Sequence, residues 1–406
     1  MTTKINNEHK KVYAPNSTDR GNVVRNVPHL RFPEFEGEWE DFLINDVCSE
    51  FKSGKNIKAD SISESGEYPV YGGNGLRGYT SSYNHEGLYV LIGRQGALCG
   101  NVRSVHGKTF ITEHAIAVAG NEISNTSFLH YLFVKMNLGQ YSDQSAQPGL
   151  AVNKLLKIKV VLPSVSEQTK IARFLSLLDE RIATQNKIID KLQSLIKGLE
   201  DNLLDNPLWE KTYLRSFMQF FSTNSLSWEQ LSYEEGEIRN LHYGLIHGFQ
   251  TRGINSASLP MIKNEAVPKQ YISCQVGDVA FADASEDTGE IAKSVEFVDT
   301  IEGNTICGLH TIHGRDIKNR TVVGFKGFAF NSRYFHNQIK RLAQGTKVFS
   351  ITANNLSSCY VYLPDLETQK AIVKLLKAYE AQLIVSRKTL KQYEKQKQYL
   401  LRQMFI

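Results

Sequence analysis

The chain has 406 residues, 41% hydrophobic residues and a formal net charge of +5 at pH 7. This length exceeds one ordinary hydrophobic core, so two or three domains are expected. The sequence has no apolar run of about 18 residues, which predicts no membrane span. Its five scattered cysteines contain no CxxC pair, which favours a reducing cytoplasm and argues against a zinc site.

Residues 1–28 are polar and lack the apolar segment of a secretory signal, which predicts a disordered tail. The positive charge is concentrated at the other end of the chain. Residues 363–406 contain nine Lys and Arg against four acidic residues, a difference equal to the whole excess of +5. This segment is either a solvated helix face or a docking surface for a nucleic acid or an acidic partner.

Residues 29–161 predict a first globular domain. Short runs rich in Val, Ile and Tyr predict strands at 68–71, 88–92, 116–119 and 157–162, and an apolar stretch predicts a helix at 128–138. Glycine-rich turns, Gly72–Gly75 and Gly93–Gly96, interrupt the strands. The segment is therefore a mixed α+β fold with loops on which binding residues can sit.

Residues 162–206 predict a long helix with a coiled-coil seam. The apolar residues recur at spacings of three and four, and the a and d positions are filled by Ile171, Leu175, Leu178, Ile182, Ile189, Leu192, Ile196, Leu199 and Leu203. Only Gln185 interrupts this seam. Two unrelated amphipathic helices are the alternative, but a period of 3.6 would drift away from the seam over this length.

The same order returns in the second half, with a domain at 207–362 and a helix at 363–406. Pro163 and Pro364 are 201 residues apart, as are Gln168 and Gln369. Strands are predicted at 279–282, 294–298 and 359–363, with a helix at 328–342. Within the domains, Thr112–Ile116 aligns with Gly308–Ile312 and Ser145–Gly149 with Thr346–Ser350. The sequence therefore predicts an internal duplication.

The predicted fold is α+β: two similar domains joined by two long antiparallel helices that form a coiled coil with pseudo-two-fold symmetry. At about 1.5 Å per residue each helix would be a rod of about 58 Å.

Polar residues beside the Gly-rich turns are the candidate DNA-binding residues, because Arg, Lys, Asn and Gln read base edges. In the first domain they are Lys55, Asn56, Asn74, Arg77, Tyr79, Arg94, Gln95, Asn101 and Arg103. In the second they are His242, Tyr243, His247, Gln250, Arg252, Ser285, Arg315 and Lys347. Solvated surface is the alternative for each one alone.

No motif forms a convincing catalytic set. Asn206–Trp209 is similar to the Asn-Pro-Pro-Tyr motif of amino-methyltransferases but lacks the second Pro and a glycine-rich cofactor loop. Asp283, Glu286 and Asp287 could bind a metal or accept from cytosine amino groups, although a solvated loop is more common. His114 and His310 lack a nucleophile nearby in sequence and fit core or loop positions.

The chain resembles the specificity subunit of type I restriction–modification enzymes. The resemblance covers nearly all of the chain after about residue 28 and lies in the segments Leu30–Phe35, Tyr68–Gly75, Leu91–Gly96, Phe281–Asp287, and Leu162-Pro163 and Leu363-Pro364 before the long helices. The second helix departs slightly, since Glu367-Thr368-Gln369 replaces the Glu-Gln pair kept as Glu167-Gln168.

The resemblance implies two target recognition domains that read the two halves of a bipartite site in double-stranded DNA. It implies a non-catalytic chain, assembled with methyltransferase subunits, expected to be two, and with ATP-driven restriction subunits. S-adenosylmethionine is expected in the methyltransferase partner, and no cofactor or metal in this chain. A self-contained nuclease or methyltransferase is the alternative, and a scaffold that does not touch DNA is a further one.

Gln185 and Ser386 occupy equivalent positions at the centres of the two helices. If the helices are antiparallel and related by a two-fold axis, these residues meet near that axis. A polar residue at an a position lowers stability but fixes register. The pair is therefore expected to set the helix register through a hydrogen bond or a shared water.

Overall fold

The structure, a computed structural model, describes residues 26–142, 149–299 and 304–406. Most of the predicted N-terminal tail lies outside the described residues, as do residues 145–148 of the aligned segment. The chain divides into two compact units. The first contains the N-terminal part up to Glu180 together with Glu394–Ile406, and the second contains Arg181–Tyr393.

The first unit is built on a six-stranded sheet. The strands of the whole unit are β1 (Glu40–Leu43), β2 (Cys48–Ser53), β3 (Tyr68–Gly72), β4 (Gly75–Thr80), β5 (His85–Gly93), β6 (Val102–Ile111), β7 (Ala115–Gly120) and β8 (Lys159–Leu162). The sheet order is β2-β7-β5-β6-β3-β4, and β1 pairs separately with β8. The helices are α1 (Ile44–Val47), α2 (Thr126–Met136), α3 (Val152–Leu155) and the start of α4 (Val165–Leu204).

The second unit contains a five-stranded and a four-stranded sheet. Its strands are β9 (Glu210–Tyr213), β10 (Met218–Phe221), β11 (Leu231–Ser232), β12 (Arg239–Leu241), β13 (Gly253–Asn255), β14 (Met261–Ile262), β15 (Val279–Ala282), β16 (Ala284–Ser285), β17 (Ser294–Asp299), β18 (Thr305–Cys307), β19 (Thr311–Asp316), β20 (Phe349–Ser350) and β21 (Tyr360–Leu363). The sheet orders are β10-β19-β15-β17-β13 and β11-β14-β12-β18, with two further pairs, β21-β9 and β16-β20.

The helices of this unit are α5 (Tyr243–Gly248), α6 (Phe325–Ala329), α7 (Arg333–Leu342), α8 (Ala353–Ser358) and most of α9 (Leu366–Gln403). The prediction of a single helix at 328–342 is wrong, because a short non-helical segment separates α6 from α7. Ser332 caps α7, and its hydroxyl accepts a hydrogen bond from the Phe335 backbone at 3.2 Å. A serine in this role starts a new helix rather than continuing the old one.

A buried glutamine anchors the start of each long helix. Gln168 donates from Nε2 to the carbonyls of Ile123 and Pro163, at 2.9 and 2.8 Å, and its Oε1 accepts from the Asn125 backbone at 2.8 Å. Gln369 repeats all three bonds, each at 3.0 Å, with the carbonyls of Arg320 and Pro364 and the backbone N–H of Val322. A buried amide must satisfy its polar atoms, so the shared pattern reflects a shared fold. The predicted duplication is confirmed at this level.

The motif before β1 is held to the start of α4 by a buried ion pair. Arg31 donates from Nε and Nη2 to the two carboxylate oxygens of Glu167, at 2.8 and 2.7 Å. This two-pronged geometry is the strong form of an Arg–carboxylate contact. It holds the segment around Arg31, which contains no helix or strand, against the start of α4.

The heptad seam is the contact between α4 and α9. Within the second unit, Gln185 contacts Ser386, Ile196 packs with Leu383, and Leu203 packs against a cluster that contains Leu376. Along these contacts the residue numbers rise in α4 and fall in α9, so the helices run antiparallel as predicted. In the first unit, Asp179 pairs with Lys397 at 2.5 Å in the same sense.

Candidate nucleic-acid interface

Three turns of the first unit meet at one place. Gly73 lies so close to its neighbours that an added Cβ would be 2.7 Å from the His114 carbonyl oxygen and 3.3 Å from the Cα of Gly93. Gly75 has a φ of +106°, and a Cβ there would collide with the Arg103 guanidinium. Glycine is therefore required for the hairpin between β3 and β4 to approach the other turns. We call the set of turns Gly72–Gly75, Gly93–Asn101 and Thr112–Ala115 the first recognition face.

Arg94 and His114 form the centre of the first recognition face. The Arg94 backbone N–H donates to the His114 carbonyl at 2.9 Å, and the His114 Nδ1 is 3.3 Å from Oε1 of Gln95. The Arg94 carbonyl accepts from the Leu150 backbone at 2.9 Å. These bonds fix the backbone while the Arg94 side chain stays half-buried and His114 exposed. A fixed backbone with accessible side chains is what base readout needs.

Other predicted residues of the first domain lie on or beside this face. Lys55 donates from its backbone to Ile111 at 3.0 Å and is bridged to Thr112, and Asn56 follows it. Most of the side chains are exposed: Lys55, Asn56, Asn74, Arg77, Gln95, Asn101 and Arg103. Within the described residues, no ion pair holds Lys55, Arg77, Arg94 or Arg103. These cations are therefore available to acceptor groups of a ligand.

Tyr79 lies apart from the three turns. Its backbone pairs with that of Ser63, with hydrogen bonds of 2.8 and 2.9 Å, and its side chain is half-buried under Gly66. Through these contacts Tyr79 holds the 59–66 segment against β4. They do not bring Tyr79 to the first recognition face.

The second unit repeats the central arrangement with a different side chain. The Asp283 backbone N–H donates to the His310 carbonyl at 3.1 Å, and the Asp283 carbonyl accepts from Ile351 at 3.0 Å. The His310 Nδ1 donates to Oδ1 of Asp283 at 3.1 Å. Asp283 thus occupies the backbone position of Arg94, and His310 that of His114. Burial raises the pKa of Asp283, and the neighbouring His310 partly offsets this.

His310 adopts a backbone conformation that is uncommon for a non-glycine residue, with a φ of +53°. Its ring meets the edge of Tyr243 at 5.3 Å, and Tyr243 in turn lies 4.7 Å from His242, which lies 4.5 Å from Trp228. Strained backbone is concentrated at functional sites. His242 itself is buried, with 3% of its surface exposed, and its Nδ1 accepts from the Gly244 backbone at 3.2 Å, which argues against base readout by this predicted residue. We call Asp283, Ser285, His310 and Tyr243 the second recognition face.

The pair β16–β20 holds Ser285 on this face and places Lys347 beside it. Ser285 is opposite Phe349, and Lys347 is exposed two residues before it. The Ser285 hydroxyl accepts from the Asp287 backbone at 3.1 Å, so it shapes its own turn. Lys347 remains a solvent-accessible cation on the adjoining loop.

Arg315 has a structural role instead of an accessible one. Its Nε and Nη2 donate to Asp278 at 2.8 and 2.7 Å, and its guanidinium lies 5.1 Å from the Phe221 ring. Burial alone would raise the pKa of Asp278, but hydrogen bonds from Arg315 and His313 outweigh it and lower the pKa. The guanidinium is therefore occupied within the unit, which argues against base readout by Arg315.

Arg252, His247 and Gln250 line a cavity of about 720 Å³ beside α4 and α9. Arg252 is 3.5 Å from the Glu200 carboxylate, and its backbone donates to Glu380 at 3.2 Å. His247 is 3.2 Å from Glu290. Arg252 and His247 face carboxylates of their own unit, and Gln250 lines the same cavity.

The residues of the alternative catalytic sites have separate partners. Asp287 accepts from the Gly289 backbone at 2.7 Å within its own turn, while Asp283 pairs with His310. Asn206 accepts from the Leu208 backbone at 3.0 Å in the turn after α4. Asp287 and Asn206 are thus engaged in their own turns, while the partner of Asp283 is a histidine of the second recognition face.

The comparison with protein families decides the identity. The family model described as the type I restriction modification DNA specificity domain matches residues 36–194 and 258–395. The chain belongs to this family. The two matched regions correspond to two recognition domains, each followed by its long helix, so the resemblance inferred from the motifs is confirmed.

Relatives agree with this assignment. A type I restriction enzyme EcoprrI specificity subunit of Escherichia coli is 42% identical over 154 residues, which cover 37% of this chain and 38% of the relative. The match thus spans about two fifths of that protein. The type I restriction enzyme MjaVIII specificity subunit of Methanocaldococcus jannaschii is 26% identical over 405 residues, covering 92% of each chain.

A solved structure shares the fold. The S subunit of a type I restriction–modification system from M. genitalium superposes with a TM-score of 0.62 at 16% identity, covering 94% of this chain and 99% of the other. Within the described residues, none of the helices is both long and apolar enough to cross a membrane.

Proposed function

We propose that this chain is the DNA-specificity subunit of a type I restriction–modification complex. Each recognition domain reads one half of a bipartite target in double-stranded DNA. The chain recognises DNA without catalysing a reaction, and it acts in the cytoplasm, where the DNA is. Methyltransferase subunits, expected to be two, use S-adenosylmethionine, and restriction subunits use ATP.

The observation that supports this proposal most directly is the equivalence of Arg94 and Asp283. Both residues donate a backbone hydrogen bond to a histidine carbonyl at the same point of a duplicated fold. The Arg94 guanidinium only donates hydrogen bonds, whereas the ionised Asp283 carboxylate only accepts them. Arginine pairs with the acceptor edge of guanine, and a carboxylate accepts from the amino group of cytosine. The same scaffold therefore supports two different half-sites.

Methyltransferase docking is proposed for an exposed face at the start of α4. A groove of about 450 Å³ is lined by Phe32, Ser166, Thr169, Lys170, Arg173, Phe174 and Leu177. Phe174 and Leu177 are 39% and 50% exposed, although the same turns of the helix bury Ile171, Leu175 and Leu178. An apolar patch rimmed by cations fits a protein partner better than water. Leu177→Glu should therefore weaken capture of the methyltransferase subunit, while Lys191→Glu, exposed on the same helix, should not.

Methylation mapping tests the proposal. The chain is co-expressed with its methyltransferase subunit, and methylated sites are read across the genome. A bipartite motif is expected, and exchanging residues 40–160 for those of a relative should change one half-site only. A change in both halves would contradict separate readout by the two domains.

The alternatives give different results. Methyl transfer or cutting by the purified chain alone would favour a self-contained enzyme. No shift of a random-sequence DNA pool by the chain with its methyltransferase would favour a scaffold.

A further inference from the structure

A group of soft ligand atoms lies in the core of the second unit, outside the recognition face. The ligand atoms of Cys274, Cys307 and His313 all lie within 4.8 Å of one another. The two sulfur atoms are 3.5 Å apart. The three residues are 6%, 2% and 1% exposed. Thiolate and imidazole are the groups from which proteins build zinc sites.

The fold brings these residues together from distant positions in the chain. The Cys274 backbone donates to the Thr305 carbonyl at 2.7 Å, which places Cys274 beside β18. Cys307 ends β18, and His313 lies in β19. Cys274 and Cys307 are separated by 33 positions, so the spacing rules that argue against a zinc site could not detect this group.

His313 has the carboxylate contact that metal-binding histidines usually make. Its Nε2 donates to Oδ2 of Asp278 at 2.7 Å. In a neutral imidazole, that bond leaves the lone pair on Nδ1. Metal-binding histidines usually donate their second nitrogen to a carboxylate in this way, which fixes the tautomer and the ring. The Asp278 carboxylate is itself fixed by Arg315, at 2.8 and 2.7 Å.

Charge and the number of ligands also fit a divalent cation. Two thiolates and a neutral imidazole neutralise one Zn²⁺, so the buried site would carry no net charge. Thr305 is fully buried, and within the described residues its hydroxyl has no hydrogen-bond partner. It lies two residues before Cys307 on β18, so both side chains are on the same face. With three protein ligands, the fourth position of a tetrahedral ion would be filled by water.

We propose that Cys274, Cys307 and His313 bind a zinc-class cation that cross-links β18, β19 and the segment before β15. The site goes beyond DNA recognition, since it stabilises the second recognition domain without touching its face. Soft thiolates select Zn²⁺ over Mg²⁺ or Ca²⁺. A cation that binds the folded chain raises its stability by mass action.

Metal analysis of the purified full chain tests the site. The metal-stripped chain is titrated with Zn²⁺ against a chromophoric chelator, and with Co²⁺ to detect thiolate-to-cobalt absorption. One equivalent is expected, with thiolate absorption and a rise in Tm with Zn²⁺. No stoichiometric zinc, or cobalt bound without thiolate absorption, would overturn the proposal, as would a Cys274–Cys307 disulfide in the freshly purified chain that leaves no zinc capacity.

Matched cysteine variants locate the site. Cys307→Ser should weaken zinc binding by more than about tenfold and abolish the zinc-dependent rise in Tm. Cys359→Ser is the control, because Cys359 is also buried but contacts the Asn355 carbonyl, at 3.5 Å. Equal loss of zinc in both variants would contradict the assignment. Titration of the wild-type chain decides the proposal even if Cys307→Ser does not fold.

Discussion

Gln185 donates a hydrogen bond from its side-chain Nε2 to the backbone carbonyl of Ser386, at 3.2 Å. The two residues meet, as their matching heptad positions predict. The contact differs from a pairing of side chains, because the acceptor is the backbone and the Ser386 hydroxyl takes no part in it. Ser386 is nevertheless buried, with 7% of its surface exposed. In this contact the glutamine contributes the side chain and the serine contributes its backbone.

Gln185→Leu should raise the thermal stability of the chain. The substitution removes a neutral hydrogen bond worth about 1 kcal/mol and adds an apolar side chain worth about 1.5–3 kcal/mol when fully buried. Ser386→Ala is the matched control and should change Tm little, because the accepting carbonyl stays. A lower Tm for Gln185→Leu would show that the polar contact stabilises the seam. If Gln185 sets the register, Gln185→Leu should also broaden the range of spacer lengths in methylated sites.

Arg94→Ala should relax specificity at one base of one half-site. The loss of a two-pronged contact with guanine costs about 1–3 kcal/mol at that base. Asp283→Ala should relax one position of the other half-site, which makes the two variants controls for each other. Binding to DNA pools with single-base changes measures both. A uniform loss over all sequences would identify Arg94 as a phosphate contact.

Arg315→Ala should lower stability without changing which bases are read. It removes the cation from the buried Asp278, and breaking such a pair costs about 3 kcal/mol or more. Arg103→Ala is the contrast, since Arg103 is exposed on the first recognition face. That variant should keep its Tm and bind DNA less tightly. A changed half-site in a folded Arg315→Ala chain would restore Arg315 as a reader.

The sequence predicted those elements whose pattern is local. The heptads predicted α4 and α9, and apolar runs predicted β3, β5 and β15. The ten-residue strand β6 was not predicted, because Val102–Ile111 mixes Arg103, His106, Gly107 and Lys108 with only a few apolar residues. Its pairing with β5 over eight positions holds it in the sheet, and that pairing is not visible in a local pattern.

The candidate site was predicted only in part for the same reason. Arg94 and Gln95 were candidates because they lie in a glycine-rich turn. Asp283 was considered only as part of an acidic loop, and His114 and His310 only as core or loop residues, because their arrangement depends on which turns meet in space. The alignment of Thr112–Ile116 with Gly308–Ile312 was the available signal, since it paired the two histidines. Conversely, the partners of Arg252 and Arg315 are distant in sequence, so their occupied state could not be foreseen.

Two buried carboxylates, one on α4 and one on α9, lie beside the same arginine in the second unit. Glu200 and Glu380 are 8% and 7% exposed, and both lie near Arg252. Burial raises the pKa of Glu380 to about 7, with Glu200 adding to the rise and Arg252 and Lys377 opposing it. Burial also raises the pKa of Glu200. The protein therefore favours the neutral form of Glu380.

Glu380→Gln should flatten the pH dependence of stability. Because folding raises the pKa of Glu380 from 4.5 to about 7, its protonated carboxyl stabilises the folded chain. This contribution is complete below pH 4.5 and is lost as the pH rises through about 7. The shift corresponds to about 3 kcal/mol, and the amide of the substituted side chain would keep an oxygen to accept from the Arg252 backbone. Tm measured between pH 4.5 and about 7 should fall with rising pH in the wild type and fall less in Glu380→Gln.

Glu367→Gln is the control, because Glu367 on the same helix is 82% exposed and should follow the wild type. Equal slopes in wild type and Glu380→Gln would show that Glu380 is ionised in the folded chain throughout this range.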